Sequence, residues 1–231
     1  MNSEPGKQDL GMASVRLYSK PAKTMNWRDQ AGRLYAILDA SCFSSAQLLF
    51  EGADELVAAG IKIVQYRNKL ADARTMLQQA KELKLRIGSR AKLIMNDRAD
   101  LCLAADFDGV HLGQDDLSPE SALKIIGTRR WLGVSTHNPE QVVEANRTSA
   151  EYIAIGPVFA TASKANPDPI VGVVGVRRAR ELTTKPLVAI GGINRQNCLS
   201  VIEAGADSVA VISDLVRDPR KSAEEFLRIL G

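Results

Sequence analysis

A chain of 231 residues, 45% hydrophobic and 25% charged, has the balance of an ordinary globular protein and the length of one large domain. Its formal net charge of +3 comes from 30 Lys and Arg against 27 Asp and Glu, too small an excess, and in no block, to point to nucleic acid. Cys42, Cys102 and Cys198 form neither a disulfide framework nor a CxxC pair, and no apolar run approaches the roughly eighteen residues of a membrane span, so a cytoplasmic protein with small-molecule partners is expected.

Residues 1–32 are polar and lack sustained periodicity, and they read as an N-terminal extension with a mobile start. Basic residues outnumber acids there, as in a transit peptide, but Glu4 and Asp9 argue against one. From Leu34 onward short apolar runs alternate with helical stretches. The runs are LYAILD from Leu34, IKIVQY from Ile61, KLIMND from Lys92 and GVHLG from Gly109, then WLGVS from Trp131, YIAIG from Tyr152, PLVAIGG from Pro186 and SVAVIS from Ser208. Nearly continuous in Val, Ile, Leu and Ala, they predict strands buried on both faces. Helix starts are marked by Asn138-Pro139, with Gln141 in the capping-box position, and by Ser118-Pro119; Gly60 and Gly88 stand where helices should stop.

Strands alternating with helices lead to a closed barrel or an open doubly wound sheet. Eight runs, and Asp39-Ala40-Ser41-Cys42 where a GxGxxG would follow the first strand, favour a single (β/α)8 TIM barrel over residues 33–231. In such a barrel the chemistry collects at the C-terminal strand ends.

The unusual residues fall there. The second strand ends in Gln65-Tyr66-Arg67-Asn68-Lys69, and alternation puts Gln65, Arg67 and Lys69 on one face, a donor set for a diphosphate or else a solvated strand end. The third ends in Asn96-Asp97, and the exit of the fourth carries Asp115 and Asp116. Carboxylates on neighbouring exits suit Mg2+, which takes oxygen ligands and shares them with phosphate and water; Asp116 could instead cap the next helix. Ser135 can donate from the fifth exit, while His137 reads equally as a surface histidine and His111 as structural. From Gly156 to Gly172 the connection is unusually long, either a lid or disordered, and its Thr161, Ala162, Ser163 and Lys164 suit anionic groups. Gly191-Gly192 after the seventh strand and Ile212-Ser213 after the eighth predict a phosphate site of backbone amides and a hydroxyl. Two separate anion sites argue for two phosphorylated substrates, one with a metal-bound diphosphate.

QYRNK (65–69), LIMNDRADLCLAADFDGVHLGQDDL (93–117), GVSTH (133–137), YIAIGPVFATASK (152–164), AIGGIN (189–194) and VAVIS (209–213) resemble thiamine phosphate synthases in order and spacing, from about Arg33 to the C-terminus. By that resemblance Gln65, Tyr66, Arg67, Asn68, Lys69, Asn96, Ser135 and Lys164 bind a pyrimidine diphosphate. Thr161, Ala162, Ser163, Gly192, Ile212 and Ser213 bind a thiazole phosphate. Asp97 and Asp116, rather than Asp115, hold one Mg2+ per subunit, and Arg67, Lys164 and Ser135 carry the catalytic work. Tyr66 stands where Leu is common in the family, Ser163 where Thr is, and Asn68 where an acid is. The implied reaction displaces pyrophosphate from the pyrimidine methylene by a dissociative path and needs no general base. The alternatives are a thiazole tautomerase of the same fold, with His137 moving protons, and a non-catalytic ligand-binding relative. No nucleic acid or membrane is expected as partner, and a homo-oligomer is left open.

Overall fold

The computed structural model of the chain describes residues 27–161 and 168–231; expectations for residues 1–26 and for Ala162, Ser163 and Lys164 lie outside them. Every apolar run is a strand: β1 Leu34–Asp39, β2 Ile63–Arg67, β3 Lys92–Asn96, β4 Gly109–Leu112, β5 Trp131–Thr136, β6 Tyr152–Ile155, β7 Leu187–Ile190 and β8 Ser208–Val211. Consecutive strands pair in parallel and β8 pairs back onto β1, so the sheet closes into a barrel in sequence order. The described helices are α1 Trp27–Ala31, α2 Ala46–Ala58, α3 Ala73–Ile87, α4 Ala99–Ala104, α5 Pro119–Ile126, α6 Pro139–Arg147, α7 Gly172–Leu182, α8 Cys198–Glu203 and α9 Pro219–Leu230. The result is the expected (β/α)8 barrel. No helix among the described residues is long and apolar enough to cross a membrane.

Local chemistry sets the helix starts. Ser118 accepts from the Ser121 N–H and Asn138 from the Gln141 N–H, each followed by proline, while Ser45, Asp72 and Asp218 cap α2, α3 and α9 in the same way. Gly88 ends α3 at φ 58°, backbone that an L side chain rarely adopts.

Strand alternation divides the apolar residues into two cores. Outward side chains such as Ala36, Val64, Tyr66 and Met95 pack against the helices. Inward ones such as Ile37, Ile63, Ile94 and Val188 fill the barrel. The bottom of that interior is closed by α1. Trp27 is buried against Trp131 and Tyr152, with ring centroids 5.3 and 4.9 Å away, and its indole N–H donates to Ser208 Oγ at 2.8 Å. Trp27 and Ala31 therefore belong to the barrel's packing, although the sequence reading placed them in the extension.

Candidate active site

A cavity of about 530 Å³ lies at the C-terminal strand ends, where barrels of this kind carry their chemistry. Inward register decides which side chains reach it. From β2 these are Gln65 and Arg67, with Lys69 just beyond. Tyr66 and Asn68 point the other way. The Tyr66 hydroxyl, buried outside the barrel, donates to Gln79 of α3, and Asn68 donates to the same oxygen at 3.1 Å. Asn68 Oδ1 also accepts from the N–H groups of Leu70 and Ala71, both at 3.1 Å. Both side chains face away from the cavity because successive side chains alternate, and they shape α3 and the turn after β2, so any contact of Tyr66 and Asn68 with a diphosphate would have to come from their backbone.

The cations at the mouth are already engaged. Parallel register sets Asp39 beside Arg67, and the two form an ion pair in which the carboxylate is buried. Asp39 also accepts from the Ser41 N–H at 3.0 Å and the Ser41 hydroxyl at 2.7 Å. Lys69 pairs with Asp97. Asp97 is held in left-handed backbone, φ 60°, and its N–H donates to the His111 carbonyl at 2.8 Å. A non-glycine residue in that region is uncommon outside Asn and Asp, and such conformations gather at functional sites. Asp116 accepts from the Gly113 N–H at 2.7 Å, while Ser118 caps α5, so Asp116 is not the helix cap. Burial raises the proton affinity of Asp116, and a hydrogen bond to Asp97 and that carboxylate's charge raise it further. The two aspartates on neighbouring strand exits therefore meet, and Asn96 borders the cavity beside them.

The opposite side of the mouth is built from backbone. Thr161, Gly192, Ile212 and Ser213 border the cavity there. Gly192 has φ 63°, and a Cβ on it would stand 2.8 Å from Phe159 Cβ and press on the Ala160 carbonyl oxygen. Glycine thus lets the stretch after β6 lie on the loop after β7, where the Phe159 N–H reaches the Gly191 carbonyl at 3.0 Å. Arg195 ties that loop to the one after β8, donating to both Asp214 carboxylate oxygens at 2.9 and 3.1 Å.

Ser135 borders the cavity as expected, and so do residues that the sequence reading passed over or took as structural. His111 is buried beneath the mouth with Tyr35. His137 is half-buried; its Nδ1 is 2.5 Å from the Gly156 carbonyl oxygen and its Nε2 3.4 Å from Asp168. The overlooked signal was alternation itself: Tyr35 and Asp39 in β1, and His111 in β4, occupy inward positions of otherwise apolar strands.

Among the described residues no group of three or more His, Cys, Asp or Glu is placed to hold a metal by itself. A pair of adjoining carboxyls beside an open cavity is the donor set of a hard cation that takes its other ligands from substrate and water, so Asp97 and Asp116 fit Mg2+.

A family model described as thiamine monophosphate synthase matches residues 34–215. A curated thiamine-phosphate synthase of Koribacter versatilis is 58% identical over 201 residues, 86% of this chain and 95% of its own. One of Chloroflexus aurantiacus is 42% identical over 202 residues, 86% of this chain and 92% of its own. Among solved structures, thiamine phosphate pyrophosphorylase from Pyrococcus furiosus superposes with a TM-score of 0.79 at 34% identity, covering 89% of this chain and 98% of that one. The chain belongs to the thiamine monophosphate synthase family.

Proposed function

We propose that the chain joins a hydroxymethylpyrimidine diphosphate to a thiazole phosphate, plain or carboxylated, releasing pyrophosphate and forming thiamine phosphate, with Mg2+ as cofactor. The transferase activity follows from family membership and from the relatives' activity. The observation that carries the metal and the mechanism is the meeting of Asp97 and Asp116 at a mouth flanked by Arg67 and Lys69.

In the proposed reaction the bond from the pyrimidine methylene to the diphosphate oxygen breaks, and its electron pair leaves with pyrophosphate. The aminopyrimidine ring delocalises the positive charge left on the methylene carbon. The thiazole nitrogen then donates its lone pair to that carbon; with the plain thiazole no proton changes hands, whereas the carboxylated form also loses its carboxylate as carbon dioxide and takes up one proton from water at the vacated carbon. Arg67, held by Asp39, and Lys69 bind and orient the diphosphate, with Lys164 as a further cation. Asp39, Asp97 and Asp116 bring three carboxyls to a mouth where Arg67 and Lys69 are the paired cations, so these side chains alone do not offset a diphosphate. Mg2+ bound by Asp97 and Asp116 would supply the missing positive charge. Ile37, Ala154, Val188 and Ala210, apolar residues in the cavity wall, would limit water around the carbocation. A cytoplasmic location and phosphorylated small molecules as partners go with this reading, and the modest net charge of +3 argues against nucleic acid.

The test is incubation with both substrates, with and without Mg2+, following thiamine phosphate and pyrophosphate. Both products should appear only when all three components are present. A tautomerase would release no pyrophosphate, and a binding protein would form neither product.

A further inference from the structure

Between the mouth and the Trp27 floor, polar side chains from five strands meet in an otherwise apolar interior. Gln65 Nε2 donates to the Tyr35 hydroxyl at 2.9 Å, and the Tyr35 and Tyr152 hydroxyls are 3.0 Å apart. Tyr152 Oη lies 3.0 Å from His111 Nδ1, and His111 Nε2 lies 2.9 Å from Ser135 Oγ. Space for this row is made on purpose: a Cβ on Gly133 would run into the Tyr152 ring, and the imidazole of His111 stacks on that ring with centroids 5.5 Å apart.

Leaving a buried polar group without a partner is costly, so the proton positions follow from counting donors. Each phenol has one proton. Tyr35 already accepts from Gln65, so its proton goes to Tyr152. The Tyr152 proton then goes to His111 Nδ1, which becomes an acceptor. The ring's single proton therefore sits on Nε2 and is donated to Ser135 Oγ. Ser135 is left with its own hydroxyl proton, aimed at the cavity that it borders. Turning over the Gln65 amide would reverse every bond in the row, so that one amide sets the direction.

We infer that Tyr35, Tyr152 and His111 are positioning residues, a one-way hydrogen-bond relay that fixes the Nε2–H form of His111 and makes Ser135 a donor to an acceptor atom of the bound pyrimidine diphosphate. Only the identity of the acceptor rests on the synthase reading; the relay is a property of the chain without substrate.

The decisive experiment is nitrogen NMR of the full-length protein, isotope-labelled in its two histidines, with His137→Asn leaving His111 as the sole imidazole for assignment. At neutral pH His111 should carry its proton on Nε2 with Nδ1 bare, and Tyr152→Phe should raise the Nδ1–H population. A proton on Nδ1, or on both nitrogens, in the unsubstituted protein overturns the relay. In pyrophosphate release, His111→Gln, which can still donate to Ser135, should stay within about threefold of the parent kcat/KM, whereas His111→Leu should lose about tenfold. Equal losses in the two variants would refute the donor role of Ser135. If His111→Leu does not fold, the tautomer of the unsubstituted protein decides. Absence of any pyrophosphate release by that protein would sink the synthase reading and leave the NMR answer standing.

Discussion

The two sides of the mouth are built differently, and the anion sites proposed there would work by different physics. The β2–β4 side is built from side chains, and each cation has a built-in counter-charge: Asp39 for Arg67 and Asp97 for Lys69. The β7–β8 side is built from backbone, with Gly192 pressed against the Phe159–Ala160 stretch and the two loops tied by Arg195 and Asp214. A diphosphate that must depart calls for charge that can be supplied and screened. A phosphate that merely anchors its substrate is served by fixed amides, which need no counter-ion. The side-chain half should therefore fail in the chemical step, and the backbone half in affinity for one substrate.

The largest effect is expected at Asp97. Asp97→Ala should lower kcat for pyrophosphate release on the order of 100-fold or more, as when a group that stabilises charge in the transition state is lost; near-parental activity in a pyrophosphate assay would refute the metal assignment. Asp39→Asn, which leaves Arg67 without its buried partner, should raise KM for the pyrimidine diphosphate about tenfold; an unchanged KM would mean that Asp39 does not orient Arg67. Gly192→Val meets both a left-handed φ and the Phe159–Ala160 backbone. It should raise KM for the thiazole phosphate about tenfold and leave that for the diphosphate close to the parent. Equal shifts in both would dissolve the distinction between the two halves. The smallest effect on turnover belongs to the floor. Trp27→Ala should cost about 3–5 kcal/mol in urea unfolding, yet leave kcat per folded molecule nearly unchanged, since Trp27 lies at the far end of the barrel from the mouth.

Acid should act below both halves. The His111 pKa is depressed in the fold, to about 4 from the 6.5 of an unburied ring. Its contribution to stability is therefore full above the unfolded pKa and is lost as pH falls from about 6.5 toward 4, where the unfolded chain binds the extra proton. Urea midpoints across that window should fall more steeply for the parent than for His111→Gln; parallel slopes would contradict burial of a neutral ring.

Much of this was legible in the residues. The eight strands lie where the apolar runs stand, and the helices start at the caps that Ser118 and Asn138 announced. Alternation along β2 correctly put Gln65, Arg67 and Lys69 on the cavity face. The family resemblance carried all five residues of QYRNK to the ligand, but a motif records which residues recur and not which way they point, and the Tyr66 and Asn68 side chains turn to Gln79 instead of the cavity. Alternation could have placed Asp39 on the inward face of β1, but not its partner, which lies 28 positions away.

By itself the sequence determined the elements and their order, because period, capping and glycine placement act within a few residues. It also supplied the expectation of phosphorylated ligands and a cation, and it holds only two histidines. The tertiary structure alone decided that Asp39 and Arg67 share a register and that Asp97 and Asp116 come close enough to interact. It alone made Trp27 the floor and joined Tyr35, Tyr152, His111 and Ser135 in one row. These contacts join residues far apart in the chain, and their partners are set by barrel closure and strand register, which no local pattern encodes.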